Sequence, residues 1–117
     1  MTDIHVPLQA YIQGHSTGQA VWMREAFLPF ARIVGIREGK PVSLTVEEFC
    51  GLFPGSPAED EATRRRTIDS IESAGNVACA RLTLVHGPVT FSDWMLLLEF
   101  GGVWKIASKV YSTRPTT

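Results

Sequence analysis

The 117-residue chain carries 11 Lys and Arg against 12 Asp and Glu, a formal net charge of −1, and 44% of its residues are hydrophobic. That length suits one domain, residues 1–117, which buries roughly two thirds of its unfolded surface without needing a metal or disulfide staple. The near-even charge excludes electrostatic steering to nucleic acid or to an acidic membrane face, and no segment approaches the ~20 apolar residues of a membrane span.

In chain order, Val6, Leu8, Tyr11 and Ile12 form a helical stripe, with Ala10 small enough to join it and Pro7 in the tolerated first turn. Gly14 and then Gly18 end that periodicity. A second short helix runs through Ala20, Val21, Met23, Ala26 and Phe27, with Trp22 on a neighbouring flank, until Pro29 stops it. Branched residues predict a strand over 31–37, a turn at Glu38-Gly39, and a short strand KPVSL that Pro41 assigns to a sheet edge. TVEEF is a capping box, Thr45 with Glu48, opening a helix that turns Val46, Phe49, Cys50 and Phe53 inward and ends near Gly55. SPAE repeats the signature at Ser56–Glu59, so a helical turn through DEATRRR or a plain loop follows, with Asp60–Arg64 and Glu61–Arg65 four apart.

The rest reads as antiparallel sheet. TIDSIESA and VACARLTLV are strands joined at Gly75-Asn76. TFSDWMLLLEF and VWKIASKVY form a hairpin across Gly101-Gly102, where both glycines accept positive φ. Helices first and a meander after mean an α+β fold. Trp94 to Leu98 is an unbroken apolar run in an antiparallel strand, a type that ordinarily alternates because water covers one face. Its second face therefore needs a cover, and another copy of the chain is expected there: a homodimer through the sheet, with Met95, Leu97 and Arg81 at the interface.

MREAFLPFARIVG after a glycine-terminated helix, together with TFSDWMLLLEFGGVWKIASKVYS, resembles the nuclear transport factor 2-like superfamily, and within it a bacterial family named for lumazine binding. Gly102, Trp104, Lys105, Ile106 and Lys109 stand where that family has its Gly-x-Trp-Lys-Ile-x-x-Lys phrase. The resemblance implies a cystatin-like cone: N-terminal helices packed in the concave face of a strongly bent antiparallel sheet, open at one end and usually dimeric. Family members often carry His and Asp where this chain has Leu28 and Phe30, and an aromatic-His pair where it has Tyr111-Ser112.

The superfamily includes enzymes of the isomerase, dehydratase and cyclase kind, whose proton transfers require a tuned carboxylate or His and a donor for the enolate. Tyr11, His15, Asp93, Glu99 and Lys109 are the groups available. Asp93 points the same way as Met95 and Leu97, so it is either a buried base or a solvated carboxylate at a strand entrance. His15 either reaches the cone mouth or sits as an imidazolium at a helix C-terminus, where the dipole favours it. His86, before Gly87-Pro88, reads as a surface-loop residue. No His pair has metal-ligand spacing, so neither metal nor cofactor is expected. Arg64, Arg65 and Arg66 read as a solvated run paired with the acids before them. Cys50 and Cys79 lack a CxxC spacing and read as buried reduced thiols. The N-terminus lacks the basic and apolar regions of a secretion signal, so a cytoplasmic location is expected.

The aromatic content favours a ligand cavity, with Tyr11, His15, Trp22, Phe27, Phe30, Trp94 and Lys109 as its expected lining. The leading reading is a binding protein for a small apolar or aromatic molecule. The alternatives are an enzyme with Asp93 or His15 as base and Tyr11 as donor, or an interaction subunit whose cone is filled.

Overall fold

The computed structural model describes residues 3–117. Helices α1 (His5–Thr17) and α2 (Ala20–Ala26) precede strands β1 (Phe27–Arg37) and β2 (Lys40–Thr45). A short α3 (Val46–Cys50) and a 3-10 turn (Glu61–Thr63) lead into β3 (Arg65–Ala74), β4 (Val77–His86), β5 (Val89–Phe100) and β6 (Val103–Pro115). The six strands form one sheet in the order β2-β1-β6-β5-β4-β3. Every pairing is antiparallel except β1 with β6, which is parallel. The fold is α+β, with the helices packed on one face of the sheet.

Local chemistry accounts for most boundaries. α1 continues through Gly14 and ends at Gly18, whose N–H still donates to the Gly14 carbonyl while its left-handed φ of 68° turns the chain out of the helix. Gly14 instead allows close approach, since a Cβ there would lie 2.7 Å from the Met23 methyl of α2. α2 gives way to β1 at Phe27, so the strand starts four residues before the expected Ala31. The Pro29-Phe30 stretch is an irregularity between the Phe27–Ile106 and Arg32–Ser108 pairs. β2 lies at the sheet edge, as Pro41 requires.

The Thr45–Glu48 capping box forms in full. The helix it opens ends at Cys50 rather than near Gly55, and Gly55 instead donates to the Gly18 carbonyl. Arg64 pairs with Asp60 as expected, but Glu61 is clasped by Arg66, not Arg65. The chain leaves the 3-10 turn straight into β3, where alternation turns Arg66 inward and Arg65 out.

The core lies between the helices and the inner sheet face: Leu8, Tyr11, Met23, Phe27, Ile33, Phe49, Leu82, Leu84, Met95, Leu97 and Ile106 are among its buried members. Met95 and Leu97, expected at a dimer interface, are 0% and 2% exposed. The alternation that turns Asp93 inward turns them inward too, so the outward residues of β5 are Trp94 and Leu96, with the Arg81 guanidinium over the Trp94 ring. Cys79, expected to be buried, is half-buried on that outer face, and both cysteines are free.

One bulge decides which side chains of β6 face the helices. Leu96 pairs with Ser108 and Leu97 with Ile106, so Ala107 is an extra residue in the ladder. Before it, Trp104 and Ile106 are buried; after it the phase inverts, with Lys109 buried and Val110 exposed.

Candidate functional site

Beneath α1 and α3 the inner sheet face encloses a cavity of about 500 Å³. Its walls include Ile33 and Leu44, Phe49 and Phe53, Leu84 and Phe91, and Tyr111; His15 and Lys109 supply polar groups, and Arg37, Glu38 and Arg64 are the charged residues nearer the surface. Tyr111 stands beside β1 only because position 35 is glycine: a Cβ there would lie 2.4 Å from its ring. A second hollow of about 560 Å³, between α1, α2 and the start of β6, holds Trp22, Trp104, Lys105 and Glu25. Buried titratable groups converge on the first hollow and not on this one.

Lys109, Tyr11 and Asp93 form a buried chain against that cavity. The Tyr11 hydroxyl donates to Asp93 Oδ2, and Lys109 Nζ donates to Tyr11 Oη at 2.6 Å. Lys109 Nζ is 3.6 Å from Asp93 Oδ2, an ion pair whose side chains are 5% and 0% exposed. The ammonium also lies about 5 Å from the ring centroids of Tyr11, Phe49 and Tyr111. Among the described residues Asp93 Oδ1 has no partner. Burial raises the Asp93 carboxyl above its ordinary range, with the Lys109 charge opposing. Burial lowers Lys109, with Asp93 opposing. Tyr11 is pushed well up, first by burial and then by the Asp93 charge.

His15 extends the site along α1. Its ring meets Tyr11, Phe49, Phe53 and His86, and its shielded Nε2 has no partner among the described residues. Burial, followed by the Lys109 charge, holds it well below the usual imidazole range, so it is neutral and not the helix-terminal imidazolium expected. His86 is not a surface residue either. Its Nε2 accepts from Arg66 Nε at 3.0 Å, Arg66 being held in turn by both Glu61 oxygens, and burial with the Arg66 charge brings His86 to about 4.

Of the expected lining, His15 and Lys109 reach the cavity, Tyr11 lies immediately behind it, and Phe27 packs edge-on against Tyr11 and Phe49. Trp22 belongs to the second hollow, and Phe30 and Trp94 are 75% and 53% exposed. Phe30 sits in the β1 irregularity, and Trp94 has the outward phase of β5. The solvated reading of Asp93 is overturned by its complete burial. Phe49 and Phe53, read from helical spacing as inward residues, also line the cavity, whereas Phe91 and Tyr111 were missed; Phe91 reaches it through long-range packing that spacing does not encode, and Tyr111 through the Ala107 bulge. Among the described residues no cluster of His, Cys, Asp and Glu could hold a metal ion, and no helix is long and apolar enough to cross a membrane.

Residues 1–112 match the family model described as "Putative lumazine-binding". Similar solved structures include a nuclear transport factor 2-like protein of unknown function from Shewanella baltica, 26% identical, covering 97% of this chain and 92% of its own, with a TM-score of 0.85. A protein described in the same words from Methylobacillus flagellatus is 26% identical over 95% of this chain and 89% of its own, at 0.81. One from Silicibacter pomeroyi is 23% identical over 92% and 90%, at 0.82. No functionally curated protein matches the chain.

Proposed function

The chain belongs to the lumazine-binding family of the nuclear transport factor 2-like superfamily, and from that premise we propose that it binds a small, mostly apolar or aromatic molecule in the cavity over Lys109. One observation carries the reading: the hollow is of ligand size, is walled by Phe49, Phe53, Phe91 and Tyr111, and offers His15 and Lys109 among the polar groups that could orient a guest. A filled cone is correspondingly disfavoured. A thermal-shift screen of flat heterocycles, lumazine included, tests it. A compound at a hundred times its dissociation constant adds ~2.7 kcal/mol of stability. Leu84→Trp, which fills the hollow, should abolish the shift. A panel in which no compound moves the midpoint, or in which Leu84→Trp responds equally, refutes the reading.

The unpartnered, neutral Nε2 of His15 on the cavity wall favours one second reading, an isomerase-like enzyme in which His15 removes a proton α to a carbonyl and the Lys109–Tyr11 pair polarises the oxygen. Asp93, enclosed behind Tyr11, is then a positioning group rather than the base. Loss of wash-in of solvent deuterium into a bound ketone in His15→Gln is the result this reading requires.

The outer faces of β4, β5 and β6 carry Val77, Trp94, Leu96 and Val110, each about half exposed. This apolar surface supports a homodimer through the sheet, with Trp94, Leu96 and Arg81 in place of Met95 and Leu97. Sedimentation should give a dimer that Leu96→Glu converts to a monomer. The free cysteines fit a reducing cytoplasm in a bacterial cell.

A further inference from the structure

We propose that the cavity selects a flat ligand bearing a carboxylate, and that Lys109 receives that group; this rests on the binding reading above. The geometry of the ammonium supplies the first argument. A lysine has three donors, and the hydrogen bond that Lys109 makes among the described residues uses one, on Tyr11 Oη. Asp93 Oδ2 at 3.6 Å is an ion-pair partner too distant for a close hydrogen bond, and its own close bond is with Tyr11. Apart from that ion pair, the ammonium is surrounded by the rings of Tyr11, Phe49 and Tyr111, whose centroids lie about 5 Å away. Those rings attract the cation but are poor substitutes for oxygen acceptors.

The charge around the hollow supplies the second. Its lining includes Arg37, Arg64 and Lys109 against Glu38, while Asp93, Asp60 and Glu61 stand behind their cationic partners and outside the lining. The field inside is felt at His15, where burial is reinforced by the positive charges of Lys109, Arg66 and Arg64. The wall of the cavity therefore presents a cation with one close hydrogen bond and one longer ion pair, beside an imidazole whose Nε2 has no partner among the described residues, set in apolar surroundings. A carboxylate brings two acceptors to that point, and a charge-assisted bond in such a place is roughly twice as strong as a neutral one. A guest lacking the oxygen leaves the donors as they are, which is how polar groups in a pocket discriminate.

The test is calorimetric titration of the intact chain with 2-naphthoate, 2-naphthylmethanol and 2-naphthylmethylammonium, repeated on Lys109→Met and on the double variant Lys109→Met/Asp93→Asn. The naphthoate should bind the wild type at least about tenfold more tightly than the alcohol, equivalent to ~1.4 kcal/mol, with the ammonium weakest. Both variants should keep the alcohol and lose the preference. The double variant carries no buried carboxylate, so it gives the comparison if Lys109→Met does not fold. Equal affinity of the wild type for naphthoate and alcohol overturns the carboxylate inference and leaves the binding reading intact. A preference that survives in the variants puts the carboxylate elsewhere and overturns the role of Lys109. No binding of any of the three overturns both.

Discussion

Replacing Lys109 by Met removes one charge of a pair that has almost no access to water. At 3.6 Å the attraction between Nζ and Asp93 Oδ2 is about 4–5 kcal/mol for an effective dielectric of ~20. The desolvation of both ions offsets much of that while the pair is intact, but Asp93 alone keeps its cost and loses its compensation. Removing one partner of such a pair destabilises by about 3–5 kcal/mol. For a domain of this size that lowers the melting temperature by roughly 12–20 °C, at about 4 °C per kcal/mol.

The dependence on pH identifies the cause. Burial already raises the Asp93 carboxyl in the fold, and Lys109 is what restrains it. Without Lys109 the folded-state value moves further above the unfolded one of about 3.9, so the folded chain holds the extra proton over a wider range. Stability then falls as pH rises through that range. The deficit of Lys109→Met should be larger at neutral than at acid pH and should narrow as acidification protonates Asp93 in the variant. Urea unfolding followed by tryptophan fluorescence reads both quantities, and Asp93→Asn in the Lys109→Met background should recover most of the loss. A deficit under about 1 kcal/mol, or one that does not change with pH, refutes the account of the pair as buried and mutually dependent.

Other outcomes follow from single contacts. Gly35→Ala should force the Tyr111 ring into the cavity, costing about 1–3 kcal/mol by overpacking and weakening any ligand seen in the thermal-shift screen. His86 sits at about 4 in the fold and about 6.5 unfolded, so the folded state binds fewer protons between these values. The contribution of His86 is therefore full above about pH 6.5 and is lost on acidification toward pH 4; His86→Gln should lessen the slope of urea midpoints between about pH 7 and 4.5, with His15, which burial also holds low, supplying the remainder. Thr45→Ala removes the cap of α3, and denaturation should show a loss of about 0.5–2 kcal/mol with ligand affinity unchanged.

What the sequence made legible is what is local. The Thr45–Glu48 box, the Gly101-Gly102 hairpin and the edge position of Pro41 each follow from chemistry within a few residues. The inward direction of Asp93 follows from period-two alternation, and consistent use of the same rule places Trp94 and Leu96, not Met95 and Leu97, on the outer face. Lys109 is different: strict alternation from Trp104 and Ile106 would put it outside and Val110 inside. The single extra residue at Ala107 reverses that, and nothing in the composition of VWKIASKVY marks it. The meeting of His15 with His86, and of Arg66 with both His86 and Glu61, depends on α1, the 3-10 turn, β3 and β4 closing around one another. The Arg66–Glu61 pair is local, five residues apart, but the approach of His15 to His86 leaves no spacing to read.

The parallel union of β1 with β6 has a consequence for how the chain folds. Residues 27–34 find their strand partner in residues 106–110 of β6, the last strand of the sheet in chain order. Without β6, β1 and β2 form only a lone hairpin, which is marginal in water by itself, and the pocket has no floor. All six strands must therefore be present before the long-range contacts reward the closure of so large a loop, which predicts slow, all-or-none folding and a helix-covered core that cannot close without β6.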